Sequence, residues 1–183
     1  MLRDAGFDIT QQKPLFTDPP HPQSNGLSPR ELAMDLARQK ALSLRPTMAD
    51  HDLVLAADTL CVTADGRLIG TPIDLEQAHR MLHDLAGAAH QVVTGVALLG
   101  RLDLAPHLLA DAATVMLGAL SDSQIDDYLA TDHWQGKAGG YNLTERVEAG
   151  WPLTVIGDPT TVVGLPMQAL LPILCERGCI PAS

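Results

Sequence analysis

Residues 52–70 read "DLVLAADTLCVTADGRLIG", and the fold turns on how this stretch is interpreted. The apolar run "LVLAA" has strand character, Asp58-Thr59 reads as a break, Leu60 to Thr63 resumes the strand, and "ADG" turns the chain into another short strand. A carboxylate directly after "VLAA" stands at the end of a buried strand, and in α/β sheets ligands bind beyond the carboxyl ends of strands. Aspartate is also an ordinary turn residue, so position alone makes Asp58 a candidate and no more.

Working upstream, "QQKPLFTDPPHPQSNG" (11–26) is rich in proline and polar residues and reads as a loop. It runs into "LSPRELAMDLARQKAL" (27–42), where Ser28 suits an N-cap, Pro29 the first helical position, and Glu31 completes a capping box. Arg30 therefore belongs to a helix start, not to a phosphate-gripping turn. Ala33, Ala37, Ala41 and Leu44, beside Leu32 and Leu36, form an apolar helical stripe. Lys40 lies on or beside that stripe, where a lysine either snorkels from the core edge or points into a cleft.

Downstream, "TPIDLEQAHRMLHDLAG" carries the cap-like pair Asp74 and Gln77 and a stripe of Leu75, Ala78, Leu82 and Leu85. "HQVVTGVALLG" and "ATVMLGAL" read as strands joined by the looser "RLDLAPHLLAD", and Ser121 to Gln124 caps a short helix with Ile125, Tyr128 and Leu129. "WQGKAGGYNL" places Lys137 among glycines that let a backbone approach a ligand, without the spacing of a P-loop. "WPLTVIGDPTTVVGLPMQALLPIL" adds a strand, a "GDP" turn, a "TVVGLP" loop and a C-terminal helix. The alternation of strands and helices predicts an α/β fold: one domain over 1–183, with a mixed central β-sheet flanked by helices.

Bulk properties narrow the function. A chain of 183 residues, 46% hydrophobic, suffices for one domain with a substantial core. A formal charge of -10 repels nucleic-acid backbones, so a nucleic-acid polymer is not the expected partner. A small anionic substrate screened by a metal cation remains compatible. Cys61, Cys175 and Cys179 form no paired framework, and neither a signal-like segment nor an apolar run of membrane-spanning length is found, so a cytoplasmic location is expected. The Cys175/Cys179 spacing lacks a second ligand pair, as does His79/His83, so a zinc site has no third ligand in sequence.

Taken in order, "LARQKA", "VLAADT", "GTPIDLEQAHRMLHDLAG", "HQVVTGV", "LSDSQIDDYL", "GKAGGY" and "VVGLP" resemble the successive signatures of the Maf family of nucleoside triphosphate pyrophosphatases, from about residue 28 to the C-terminus. The resemblance implies hydrolysis of a nucleoside triphosphate between its α and β phosphates, with Mg²⁺ or Mn²⁺ neutralising charge, in a homodimer. It aligns Asp58 with the family's acidic A-D-T residue, a proton acceptor or metal-coupled orienter of water. Lys40 and Lys137 match lysines that clamp phosphate, and Asp18 falls near the place of an upstream acidic metal ligand.

Several positions depart from the family pattern. The family's opening strand and its S-x-S-P-R-R loop have no counterpart, "MLRDAGFDI" resembling only the end of the helix that follows them. A start codon assigned too late accounts for this, and a degenerate paralogue is the competing account. Thr71 replaces the lysine of G-K-P, Gly136 the aspartate of D-K-A-G, and Thr144 a glutamine that reads the base. Thr59 resembles the branch acting on dTTP and UTP. Two functions follow from the resemblance: a nucleotide pyrophosphatase with Thr59, Thr71 and Thr144 as specificity positions, or a weakened or inactive protein of the same fold that binds a nucleotide or a protein partner.

Overall fold

A computed structural model of the chain describes residues 1–18, 26–50 and 52–179. Residues 19–25 of the expected 11–26 loop lie outside that description. Residues 52–70 form one continuous strand, β1 (Leu53–Thr63), and a short return, β2 (Leu68–Ile69). There is no break at Asp58-Thr59. The polar pair is accommodated because alternate residues of a strand face opposite sides, so each side chain finds its own partners while the ladder runs on. Asp58 is therefore in mid-strand.

The sheet continues with β3 (Ala89–Gly100), β4 (His107–Leu117) and β5 (Leu153–Ile156), in the order β2-β1-β3-β4-β5. Every pairing among the described strands is antiparallel, where the sequence predicts a mixed sheet. The reason is where the intervening chain lands. After β2 and helix α2 (Leu75–Leu85), β3 starts beside the end of β1, with Thr63 paired to His90, whereas a parallel neighbour requires a crossover to the far end. "HLLAD", expected within a loose connection, is the first half of β4 for a similar reason: the reversal after Gly100 is tight, and Leu98 pairs with His107. The N-terminal "MLRDAG" is a single turn that closes as a helix end does: Ala5 N–H donates to Met1 O, and around the left-handed Gly6 (φ 86°) Gly6 N–H donates to Arg3 O and Phe7 N–H to Leu2 O, while Phe7 buries its ring beside Val96 and Leu98.

Helix α1 (Pro29–Leu44) packs on one sheet face, with Ala33, Ala37 and Ala41 fully buried. The alanine stripe lets the helix come very close: a Cβ built on Gly95 would lie 2.3 Å from the backbone carbon of Ala33. Its start follows the sequence: Ser28 Oγ accepts from Glu31 N–H, and the Glu31 carboxylate accepts from Ser28 N–H. Ser28→Ala removes this box, and a loss of about 1 kcal/mol is expected, read as a fall of roughly 2–4 °C in Tm.

The other face carries three clusters among the described residues, one of them Val92, Val115 and Leu143. Helix α6 (Met167–Glu176) covers Val96 and Leu98 through Met167, Leu170 and Leu174. Helices α2 and α3 (Asp122–Leu129) meet around Leu82, Leu85, Leu117, Ile125 and Tyr128. Two short helices, α4 (Leu143–Glu148) and α5 (Pro159–Val163), flank β5; α5, capped by Asp158, takes in the first three residues of "TVVGLP", and the loop expected there is confined to 164–166. None of the described helices is long and apolar enough to cross a membrane.

Candidate active site

Strand β1 places its candidates by alternation. Leu60 and Val62 pack with Leu32, Ala33 and Leu36 of α1, so Asp58, two residues before Leu60, faces α1 as well. Lys40 reaches it from the helix's last third, its Nζ 2.5 Å from Asp58 Oδ1. The same ammonium lies 2.9 Å from Asp18 Oδ2, in the stretch preceding α1. Lys40 and Asp58 are only 15% and 11% exposed, and Asp18 is half exposed. Lys40 thus points into a cluster, and two carboxylates share one cation.

Burial raises the Asp58 carboxyl above the ordinary carboxylate range, with the Lys40 ammonium working against that and Asp18's negative charge adding to it. Burial also works to lower Lys40, but its hydrogen bonds to Asp58 and Asp18 outweigh this and raise it, so the ammonium stays charged. Beyond Cys61 and Val62, no described strand pairs with β1 on its β2 side. The Asp58 stretch therefore lies along an open edge of the sheet.

Thr59 faces the other way. With Cys61, His90, Val92, Lys137, Tyr141 and neighbours it lines a cavity of about 200 Å³ between the sheet and the segments 137–143 and 162–163. Gly139 (φ 70°) and Gly140 (φ 78°) adopt left-handed backbone that suits glycine, and Gly139 N–H donates to Gly70 O, fixing this turn beside the sheet. Lys137 Nζ lies 2.5 Å from Glu145 Oε2, and the ammonium holds that carboxyl below its usual range. His90 Nε2 is 2.7 Å from Tyr141 Oη, and burial drops the imidazole to about 4, so it is neutral at pH 7. Burial pushes the Cys61 thiol up to about 12, which leaves it without the thiolate a nucleophile needs.

The sequence candidates therefore divide. Lys40, Asp58 and Asp18 meet on the α1 face, whereas Thr59 and Lys137 share the cavity on the opposite face. Thr71 is exposed just before Pro72, and Thr144 is exposed on α4 between the cavity-lining Leu143 and Glu145; neither lines the cavity. The rings of His79 and His83 lie 4.5 Å apart, tilted by 43°, near Asp126 and Asp122, and no described group of three or more His, Cys, Asp or Glu is arranged to hold a metal ion. Sequence reading missed Glu145 as the Lys137 partner and His90 and Tyr141 as cavity walls. The N-x-x-E spacing of Asn142 and Glu145 did carry a signal, a helix start that Asn142 Oδ1 caps.

The same set of residues falls within a wider match. The family model described as Maf-like protein covers residues 1–177. The chain belongs to the Maf-like family. A dTTP/UTP pyrophosphatase of Parabacteroides distasonis is 34% identical over 166 residues, covering 91% of this chain and 84% of the relative. That of Porphyromonas gingivalis is 36% identical over 176 residues, covering 95% and 87%. A third, from Salinibacter ruber, is 38% identical over 146 residues, covering 79% and 70%. In this Maf-like chain the family match takes in β1, the Lys40–Asp58 pair and the cavity alike.

Proposed function

We propose that the chain is a nucleoside triphosphate pyrophosphatase acting on dTTP and UTP, releasing the monophosphate and pyrophosphate. One observation carries the reading: Lys40 and Asp58, eighteen residues apart on different elements, meet with Asp18 at the open edge of β1. A scaffold has little to gain from this cluster, since burying charge costs free energy unless partners offset it. The relatives named dTTP/UTP pyrophosphatase support the substrate class.

In this reading the triphosphate crosses the β1 edge, phosphates toward Lys40 and base toward the Thr59 cavity. Asp58 takes a proton from a water whose oxygen bonds to the α-phosphorus, and the bond from that phosphorus to the oxygen bridging to the β-phosphate breaks. The raised carboxyl suits that proton transfer. Lys40 and Lys137 act as point charges on the phosphates, Lys137 exchanging Glu145 for substrate. Asp58 and Asp18 offer hard oxygen donors around a position already occupied by a cation, and Mg²⁺ is commonly held by one or two carboxylates plus substrate phosphates. When bound there, it supplies neutralisation of phosphate charge.

The test is product analysis from UTP and dTTP with Mg²⁺ or Mn²⁺ by phosphorus NMR. Monophosphate with pyrophosphate is expected, whereas diphosphate with inorganic phosphate sinks the assignment. Lys137→Met should raise KM roughly tenfold with a smaller change in kcat, as expected when a binding contact is lost; an unchanged KM removes Lys137 from the substrate site.

A further inference from the structure

Behind the cavity, the side chains of Thr59 and Thr94 and the backbone carbonyl of Thr161 form a run of hydrogen bonds whose polarity can be assigned. Thr94 is the cross-strand partner of Thr59, and their hydroxyl oxygens are 2.8 Å apart. Thr94 Oγ1 also lies 2.7 Å from the carbonyl oxygen of Thr161, and Thr161 Oγ1 donates to Asp111 Oδ2 at 2.6 Å. A carbonyl has no proton to give, and a hydroxyl has only one. The Thr94 proton is therefore committed to Thr161, and Thr59 must donate its own proton to Thr94.

Thr94 and Thr161 are both fully buried, so bulk water does not compete for these bonds. Gly164, with a left-handed φ of 107°, brings backbone alongside Thr59 Oγ1: a Cβ there would stand 3.4 Å away. Thr59 is left with lone pairs and no proton for whatever occupies the cavity it lines.

We propose that Thr94 is a positioning residue that fixes Thr59 as an obligate hydrogen-bond acceptor, so that the cavity selects bases carrying an imide N–H. This rests on the reading that the substrate base enters the cavity. Uracil and thymine share an N–H between two carbonyls, the donor that an acceptor-only threonine requires. Cytosine has an unprotonated ring nitrogen at that place, which would face the Thr59 oxygen lone pair to lone pair. An unmade hydrogen bond between buried groups is penalised more heavily than a missing contact is.

The experiment measures kcat/KM of pyrophosphate release from UTP and from CTP for the wild type, Thr94→Val, Thr94→Ser and Thr59→Val, with thermal melting as a check on folding. Thr94→Val keeps the shape and frees the Thr59 proton, so the UTP:CTP ratio should fall roughly tenfold, with Thr94→Ser restoring it. A general packing defect would lower both substrates together and leave the ratio unchanged. Should the valine variant not melt cooperatively, Thr94→Ala is expected to shift the ratio the same way. A wild-type ratio in folded Thr94→Val, alongside a lowered ratio in Thr59→Val, overturns the role of Thr94 and leaves the base-binding cavity standing. An unchanged ratio in Thr59→Val, or no pyrophosphate from wild type with either substrate, overturns the cavity reading and this inference with it.

Discussion

Asp58→Asn should lower kcat/KM for pyrophosphate release by roughly 10²–10⁴-fold, the usual range for a positioned proton acceptor. Asparagine matches the shape of aspartate but takes no proton at neutral pH, and it weakens the contact with the Lys40 ammonium, which keeps only Asp18 as a charged partner. Because Asp58 is 11% exposed, a loss of folding has to be separated from a loss of chemistry, which a melting curve beside the assay does. A folded variant with wild-type kcat/KM would remove Asp58 from the reaction. If only KM rises, Asp58 binds substrate or metal and does not take the proton.

The same carboxyl predicts a pH profile. The reactive form is the carboxylate, and burial raises its protonation above the ordinary range. Activity should therefore fall as the pH drops, and the fall should begin at a higher pH than an ordinary carboxylate gives. Lys40→Met removes the charge that holds the carboxylate ionised, so it should move the acid limb of kcat/KM further upward. An acid limb that stays in place in this variant contradicts the pairing.

Much of the scaffold was legible in the sequence because it depends on local rules. The Ser28 box, the Asp74 and Ser121 caps and the helical stripes were readable, since each needs only residues a few positions apart. Strand direction was not, since it depends on which end of the sheet a connection returns to. Asp58 illustrates the difference. The residue was identifiable, but the sequence placed it at a break, whereas alternation within an unbroken strand sends it and Thr59 to opposite faces. Lys40 had two readings until α1 was docked on the sheet. His90 and Thr94 lie within "HQVVTGV" and Tyr141 within "GKAGGY", but their contacts were not readable: a polar residue within an apolar strand, as His90 and Thr94 are, declares its partners only when the cross-strand register is known, and Tyr141 meets His90 only once its loop is placed on the sheet.

That docking leads to a second large effect, on stability. Gly95→Ala should destabilise the protein by about 3 kcal/mol or more, since overpacking a close-packed interface costs typically 1–3 kcal/mol and this contact is more severe than most. The new Cβ would stand 2.3 Å from Ala33 C, 2.4 Å from Met34 N and 2.5 Å from Ala33 O, all of them backbone atoms. No rotamer change can relieve a contact with backbone, so α1 must move away from β3 or β3 must bend. Truncating the neighbour, as in Gly95→Ala with Ala33→Gly, therefore should not rescue stability. Gly70→Ala is the matched control, because a Cβ there meets nothing within 4 Å. Tm should fall by roughly 6–12 °C for Gly95→Ala and hardly change for Gly70→Ala. Gly95 is also the cross-strand partner of Asp58, and α1 carries Lys40, so any variant that does fold should show a weakened Lys40–Asp58 pair and a reduced kcat. A Gly95→Ala protein as stable and active as wild type would mean that the backbone of α1 stands further from β3 than direct contact with Gly95 requires.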